Sequence, residues 1–162
     1  MIAAGGLALV LLGDVAPDPV VRGTAAPDFQ APLLDGREPV GLEAYQGDVI
    51  LLNFWATWCK PCEDEMPAME RLYGELSPFG FELLAVSVDK SAPEVASFRE
   101  RLGLSFPILL DPDEAISRAY QTTGYPESFL IDRDGTVLER YVGPREWDDP
   151  LYVERIRKLL QG

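Results

Sequence analysis

The segment LNFWATWCKPCEDEMPAM, residues 52–69, decides the fold because it joins a strand pattern to a helix pattern across two cysteines. The run VILLNFW at 49–55 is almost continuously apolar and rich in strand formers, which is typical of a strand buried on both faces. A helical pattern follows at 59–77, with one apolar face formed by Met66, Met69, Leu72, Tyr73 and Leu76. The segment therefore predicts a buried strand that ends just before Cys59 and a helix that begins there.

The two cysteines, Cys59 and Cys62, are expected to share one face of the first helical turn, within reach of a disulfide. A helix N-terminus offers unsatisfied N–H groups and the positive end of the helix dipole, and both stabilise a thiolate on Cys59. Lys60 adds positive charge nearby, and Pro61 fits a first turn, where no backbone N–H is needed. Cys62 is expected to lie deeper and to resolve a mixed disulfide. We predict that Cys59 is the nucleophile of a redox-active dithiol.

Two alternatives to a redox-active pair are half of a zinc site and a structural disulfide. A zinc site needs four ligands, normally Cys or His, and the sequence has 2 Cys and no His. A disulfide that closes so short a loop constrains the unfolded chain little. Both alternatives stay open, but a C-x-x-C motif at a strand–helix junction favours redox chemistry. The sequence predicts neither a metal nor a cofactor.

The charge balance is strongly acidic, with 27 Asp and Glu against 14 Lys and Arg, a formal net charge of −13 over 162 residues. Nucleic-acid phosphates require a basic surface, so we predict no nucleic-acid partner. The absence of histidine removes Cys–His and Ser–His catalysis and a histidine pH switch. The length fits one domain, and we take a monomer as the default.

Outward from the cysteines, strand and helix patterns alternate along the chain. Further strands are predicted at 81–88, 106–110, 128–132 and 136–142, and further helices at 92–103, 111–121 and 148–160. The last helix is expected to turn four apolar side chains inward, Leu151, Ile156, Leu159 and Leu160. This alternation predicts an α/β fold with a parallel core. The turn at 133–135 joins the last two strands into a hairpin, which is expected to add antiparallel edge strands.

The N-terminus carries an apolar run without charge, MIAAGGLALVLLG at 1–13. Its length fits the apolar region of a signal sequence, about 7–15 residues, and falls short of the about 20 that span a bilayer. Three interpretations stay open: the distal part of a signal-anchor, an atypical signal peptide, and a buried N-terminal segment. The first two place the domain outside the cytoplasm. Residues 14–26 are predicted to form an extended tether, and residues 27–162 the domain.

Several segments carry a family resemblance: AAPDFQAPLLDGREPVGL (25–42), LNFWATWCKPCEDEMPAM (52–69), LAVSVD (84–89), FPILLD (106–111) and GYPESFLIDRDGTV (124–137). Together they resemble the thioredoxin-like superfamily, and more closely its extracytoplasmic branch of TlpA, ResA and CcmG (DsbE) proteins. The resemblance runs from about Ala25 to Leu160. It implies a thioredoxin-like fold with an N-terminal extension and a central strand–helix insertion at 106–121, as in TlpA and peroxiredoxin-like proteins.

The resemblance also implies roles for residues outside the cysteine pair. Pro126 matches the cis-proline that faces the disulfide in the family, and the backbone of Tyr125 would pair with an extended client segment. Glu127 matches the Glu of the CcmG-like pattern, where it would tune or position the thiols; the alternative is an exposed Glu at the start of a strand. Trp58 matches the surface aromatic residue beside the nucleophile.

Asn53 stands where thioredoxins carry a buried Asp that moves protons for the second cysteine. Asn does not exchange a proton near neutral pH, so another group must act if one is needed. Asp89, just past the predicted strand 81–88, is a candidate, and a solvated turn is the alternative for it. The acids at 63–65 are interpreted as residues at the start of a helix, where they suit its dipole.

The motifs and the resemblance predict a membrane-tethered or secreted thiol–disulfide oxidoreductase that reduces disulfides of extracytoplasmic clients. The resemblance implies cysteine-bearing clients, apocytochrome c among them, and re-reduction by a membrane thiol transporter of the CcdA or DsbD kind. The alternatives are a thiol peroxidase, a Sco-like copper-binding assembly factor and a cytosolic thioredoxin. The peroxidase loop requires Pro and Thr or Ser where this chain has Leu52 and Ala56, and the Sco pattern requires C-x-x-x-C with a distant His.

Overall fold

A computed structural model describes residues 18–162, in which strands and helices alternate as the sequence predicts. The strands are β1 (Val49–Trp55), β2 (Phe81–Ser87), β3 (Ile108–Leu110), β4 (Glu127–Ile131) and β5 (Val137–Val142). The helices are α1 (Lys60–Leu76), α2 (Ala92–Leu102), α3 (Ala115–Ala119) and α4 (Pro150–Gln161), with short 3₁₀ helices at Leu42–Tyr45 and Ser77–Phe79. The cysteine pair lies between β1 and the body of α1.

The strands form one mixed sheet in the order β3-β2-β1-β4-β5. β2 runs parallel to β1 and β3, whereas β4 runs antiparallel to β1 and β5. The predicted α/β fold with a parallel core is confirmed. The hairpin is not confined to the edge as expected, because β4 pairs with the central strand β1. Because β1 is the central strand and is buried along its whole length, the cysteines that follow it lie just beyond the end of a fixed central strand.

Side chains alternate along β1 and feed two apolar cores, one on each face of the sheet. Leu51 and Trp55 join the core that packs under α1, α2 and α4. Phe54 joins the core on the opposite face, where the rings of Tyr120 and Phe129 meet edge-on with 5.1 Å between their centroids. This alternation places Asn53 on the face of the sheet that α1 covers, where its side-chain amide donates to Glu65.

The helix predicted at 111–121 is much shorter in the structure, where α3 covers only Ala115–Ala119. The reason is the buried Asp111 carboxylate, which accepts the backbone N–H groups of Ile116 and Ser117 at 3.1 and 2.8 Å. These two donors lie in the first turn of α3, so Asp111 satisfies groups that a longer helix would pair internally.

The prediction that Leu151 faces inward from the last helix is wrong, because Leu151 is 69% exposed. α4 begins at Pro150, with the Asp149 side chain accepting the N–H of Leu151 at 2.8 Å. Ile156 is buried, as predicted, and Val153 is buried beside it. Leu159 and Leu160 pack partly against the core, as expected.

Residues 18–26, here called the N-terminal strap, lie against the domain instead of forming a free tether. Val20 is only 4% exposed and belongs to the core that contains Phe129. The backbone N–H of Gly23 donates to the carbonyl of Val137 at 2.7 Å. The packed domain therefore begins earlier than the predicted boundary at residue 27, because a buried valine and backbone hydrogen bonds fix the strap.

The predictions for 1–13 and for the first part of the tether, 14–17, lie outside the described residues. Within residues 18–162, no helix is both long enough and apolar enough to cross a membrane. The membrane-anchor prediction thus concerns a segment that the described part of the chain does not include.

Replacing Val20 by Ala is expected to lower the free energy of unfolding by about 2 kcal/mol, because buried methyl groups are lost and a cavity remains. Val21→Ala is the matched control: Val21 is 44% exposed, and its loss should matter little. Urea unfolding of both variants measures the difference. Equal stability of the two variants would contradict the packing of the strap.

Candidate active site

Cys59 and Cys62 are joined by a disulfide at the start of α1, with their Cα atoms 5.3 Å apart. Cys59 is the N-cap residue of α1, and its Sγ accepts the backbone N–H of Cys62 at 3.3 Å. Cys59 retains 6% exposure whereas Cys62 is fully buried. Cys59 is therefore the sulfur that a second disulfide can approach, and the helix N-terminus favours its thiolate once the pair is reduced.

Asp89 follows β2 and is buried, so the alternative of a solvated turn is wrong. Its carboxylate accepts the backbone N–H of Thr57 at 2.9 Å, the Thr57 hydroxyl at 2.6 Å and the Ser87 hydroxyl at 2.8 Å. These hydrogen bonds tie the end of β2 to the loop that leads into Cys59. Asp89 thus holds the loop before Cys59, and the proton-transfer role predicted for it stays a prediction.

The two residues between the cysteines are exposed. Lys60 forms an ion pair with Asp64 one turn along α1, and this hydrogen bond raises the pKa of Lys60 above its usual value. The Asp64 carboxylate therefore partly offsets the positive charge of Lys60, which stabilises a thiolate on Cys59 less than an unpaired lysine would. Pro61 occupies the first turn of α1, as predicted.

Glu65 is a site residue that the sequence did not reveal. The sequence predicts an ordinary acid at the start of a helix, whereas the structure buries the Glu65 side chain. One carboxylate oxygen accepts the backbone N–H of Arg145 and the indole N–H of Trp147, both at 3.0 Å. The other oxygen accepts the amide of Asn53 at 3.0 Å. Burial raises the pKa of Glu65 to about 7, and these donors oppose the rise. Glu65 can therefore exchange a proton near neutral pH, one helical turn past Cys62.

Asn53 links Glu65 to β4. Its amide nitrogen donates to the Ser128 hydroxyl at 2.9 Å as well as to Glu65, and its amide oxygen has no hydrogen-bond partner within residues 18–162. An amide donates to a carboxylate without competing for its proton. The departure from the thioredoxin pattern at Asn53 thus coincides with a buried carboxyl group on the neighbouring helix.

The Tyr125–Pro126 peptide bond is cis, as the resemblance implies. Trp58 is 70% exposed, and its ring meets that of Tyr125 edge-on with 6.0 Å between centroids. Trp58 directly precedes Cys59 in the chain, so this contact brings the segment of Pro126 beside the disulfide. The exposed indole and the half-buried phenol together form an aromatic surface next to Cys59.

Glu127 begins β4 and is buried, so the alternative of an exposed residue at the start of a strand is wrong. Its carboxylate pairs with Arg140 on β5 and accepts the backbone N–H of Thr123 at 2.8 Å. Among the described residues, the hydrogen bonds of Glu127 lead to the loop before Pro126 and not to the cysteines.

A C-x-x-C disulfide at a helix N-terminus is suited to thiol–disulfide exchange when one cysteine is more exposed than the other and a carboxyl group that titrates near neutral pH lies one turn further along the helix. On a sheet of this order, that chemistry defines a thioredoxin-like thiol–disulfide oxidoreductase. The chain belongs to the AhpC/TSA family, whose model matches residues 22–140.

The names of similar proteins agree with this assignment. Thiol-disulfide oxidoreductase ResA from Geobacillus thermodenitrificans is 44% identical over 130 residues, which are 80% of this chain and 74% of that protein. Thioredoxin-like protein YneN from Bacillus subtilis is 40% identical over 127 residues, 76% of this chain and 73% of that protein. A solved thiol:disulfide interchange protein of the thioredoxin family from Chlorobium tepidum matches with a TM-score of 0.74 at 31% identity, covering 86% of this chain and 97% of that one. The predicted thioredoxin-like fold and the predicted oxidoreductase class are confirmed.

Glu65 is expected to make the oxidised protein less stable as the pH rises from 4.5 to about 7. Its pKa is raised in the folded protein, so the folded protein binds more protons than the unfolded chain in this window. The stabilisation is fully present below the ordinary pKa of 4.5 and is lost as the pH passes about 7. Its size is on the order of 3 kcal/mol. Urea unfolding across this range, for the wild type and for Glu65→Gln, measures it.

The difference between wild type and Glu65→Gln isolates this group, because the other titrating side chains are present in both proteins. Gln preserves the shape of Glu, and its amide can donate to the unpartnered oxygen of Asn53. Glu63→Gln is the matched control on the same helix, because the hydrogen bond from Arg101 lowers the pKa of Glu63, a shift opposite in direction to that of Glu65. A wild-type minus Glu65→Gln difference that stays constant across the window would contradict the assignment.

Proposed function

We propose that this oxidoreductase acts as a reductant: tethered to a membrane or secreted, it reduces disulfides of extracytoplasmic client proteins. The observation that carries the proposal is the asymmetry of the cysteine pair: Cys59 retains 6% exposure, whereas Cys62 is fully buried one turn before Glu65. One sulfur is placed to attack a client, and the other to release it.

The charges around the pair support the reducing direction. A strong oxidant of this fold has a reduced form that is strongly stabilised. Here the positive charge of Lys60 is paired with Asp64, and the nearest buried ionisable side chain on α1 is the carboxyl of Glu65. Negative charge near a thiol disfavours its thiolate, so the reduced state gains little from these groups. We infer that the pair gives up its electrons readily.

The reaction that we propose transfers two electrons from the reduced cysteine pair to the client disulfide. The Cys59 thiolate attacks one sulfur of a client disulfide, forms a mixed disulfide and displaces the other client sulfur, which takes up a proton. The Cys62 thiol transfers its proton to the Glu65 carboxylate, and the resulting thiolate attacks the Sγ of Cys59. The second client sulfur leaves as a thiolate and takes up the proton that Glu65 received, so the client carries two thiols and the Cys59–Cys62 disulfide remains.

The oxidised protein needs an external electron source for the next cycle. We propose a membrane thiol transporter of the CcdA or DsbD kind, in agreement with an oxidising compartment and an N-terminal anchor in 1–13. We propose apocytochrome c as one client. The net charge of −13 favours encounter with basic clients of this kind. We further propose that the protein works as a monomer, with the exposed Trp58 beside the client.

Cys62→Ser is expected to accumulate mixed disulfides with clients, because Cys59 still attacks and the resolving sulfur is gone. Cys59→Ser should trap none, since Cys62 is buried. Non-reducing electrophoresis after incubation with a synthetic peptide that carries an internal disulfide measures both variants, and Cys59→Ser/Cys62→Ser is the control for non-specific adducts. Equal trapping by the two single variants would refute the assignment of the nucleophile.

The reduction potential of the Cys59–Cys62 pair is expected to lie near or below that of thioredoxin, about −270 mV. The reason is that no charge on α1 strongly stabilises the reduced pair. Equilibration of the protein with dithiothreitol buffers, followed by alkylation and mass measurement, gives the value. A potential near that of DsbA, about −120 mV, would mean an oxidant and would overturn the reducing direction while leaving the class unchanged.

A further inference from the structure

A buried ion pair between β4 and β5 is not used by the exchange reaction. Glu127 is fully buried, and the side chain of Arg140 is only 21% exposed. A buried carboxylate is costly unless charge and hydrogen bonds compensate it, so the partners of this pair indicate what it holds in place.

Both oxygens of the Glu127 carboxylate accept hydrogen bonds. One pairs with Nε of Arg140, and the other accepts the backbone N–H and the hydroxyl of Thr123 at 2.8 and 3.2 Å. Thr123 is exposed and lies in the segment 121–126 that leads from α3 to Pro126. Here that segment is called the client loop. Glu127 thus holds the middle of the client loop through Thr123.

Arg140 fixes the beginning of the same loop. Its Nη2 donates to the carbonyl of Gln121 at 2.7 Å, and its Nη1 donates to the carbonyl of Val20 in the N-terminal strap at 3.4 Å. The guanidinium also lies over the Phe129 ring, 5.3 Å from its centroid. The planar group therefore joins β4, the client loop and the strap at one point.

Gln121 completes the connection between the strap and the loop. Its backbone is in the left-handed region, with φ of 54°, which a non-glycine residue adopts only when its surroundings hold it there. Its side chain donates to the carbonyl of Asp18 at 3.0 Å and accepts the N–H of Val20 at 3.4 Å. The strap is thereby clamped to the residue at which the client loop begins.

We propose that Glu127, Arg140 and Gln121 are positioning residues for client binding: they hold the client loop against the strap, and they do not set the chemistry of the thiols. This inference rests on the proposed function, since the client loop carries Tyr125 and Pro126 beside the disulfide. It differs from the expectation that Glu127 tunes the thiols. It also makes the N-terminal strap a part of the client-binding structure.

Glu127→Gln is the sharpest test, because a Gln amide can satisfy only one side of the arrangement. With its oxygen toward Arg140, its NH₂ group faces the N–H of Thr123 and the loop loses its anchor. We expect the KM for a synthetic peptide with an internal disulfide to rise about tenfold, the effect of losing one hydrogen bond to a charged group. Reduction of cystamine, a disulfide without a peptide bond, should stay within about twofold, and the reduction potential should not change.

Arg140→Lys is the second variant, since it keeps a positive charge beside Glu127 but cannot reach the carbonyls of both Gln121 and Val20. It should raise the KM for the peptide in the same selective way. Glu139→Gln is the matched control: Glu139 lies next along β5 and pairs at 3.2 Å with Arg155, away from the client loop. Urea unfolding of each variant establishes that it is folded under the assay conditions.

The outcomes separate the two proposals. Selective loss with the peptide in Glu127→Gln and Arg140→Lys supports the positioning role. A changed reduction potential, or equal losses with the peptide and cystamine, would overturn it in favour of an effect on the thiols. Unchanged kinetics with the peptide in both variants would also overturn it. A wild-type protein that reduces cystamine but not the peptide would instead refute the proposed function, and with it the positioning role that depends on it.

Discussion

The junction between β1 and α1 is the constraint on which the rest of the site depends. A helix N-terminus leaves N–H groups without intrahelical partners, and the sulfur of Cys59 accepts one of them from Cys62. The junction cannot shift easily, because β1 is buried on both faces and Asp89 binds the loop between them. The helix then places Glu65 one turn after Cys62, so the spacing between the second cysteine and this acid is set by the helical repeat.

The parts of the fold that rest on local pattern could be predicted from the sequence. β1 and β2 are apolar runs of strand formers, and α2 ends at Gly103, whose φ of 64° only glycine adopts without cost. Most of the inward face of α4 could be predicted, but the exposure of Leu151 could not, because it lies in the first turn of a helix that begins only at Pro150. The helix predicted at 111–121 is longer than α3, because the Asp111 side chain accepts backbone N–H groups that a longer helix would pair internally.

The burial of Glu65 and Glu127 could not be predicted from their neighbours in the chain. The donors that make the burial of Glu65 tolerable, at Arg145 and Trp147, come from a loop about 80 residues away. A signal did exist: Glu65 falls three residues after Cys62 and so lies on the buried face of the helix. The charge of Glu65 favoured the opposite prediction, because acids early in a helix are usually solvated and suit the helix dipole.

The two buried acids differ in the partners that surround them, and that difference divides the site. Glu127 meets a guanidinium and two groups of one loop residue, so it is bound into a fixed arrangement. The groups that donate to Glu65 are all neutral, a backbone N–H, an indole and an amide, so desolvation dominates and its pKa rises to about 7. A chain without histidine needs a perturbed group if it is to exchange protons near neutral pH. This contrast supports the two roles that we propose, proton exchange by Glu65 on the α1 face of the sheet and positioning of the client loop by Glu127 between β4 and β5.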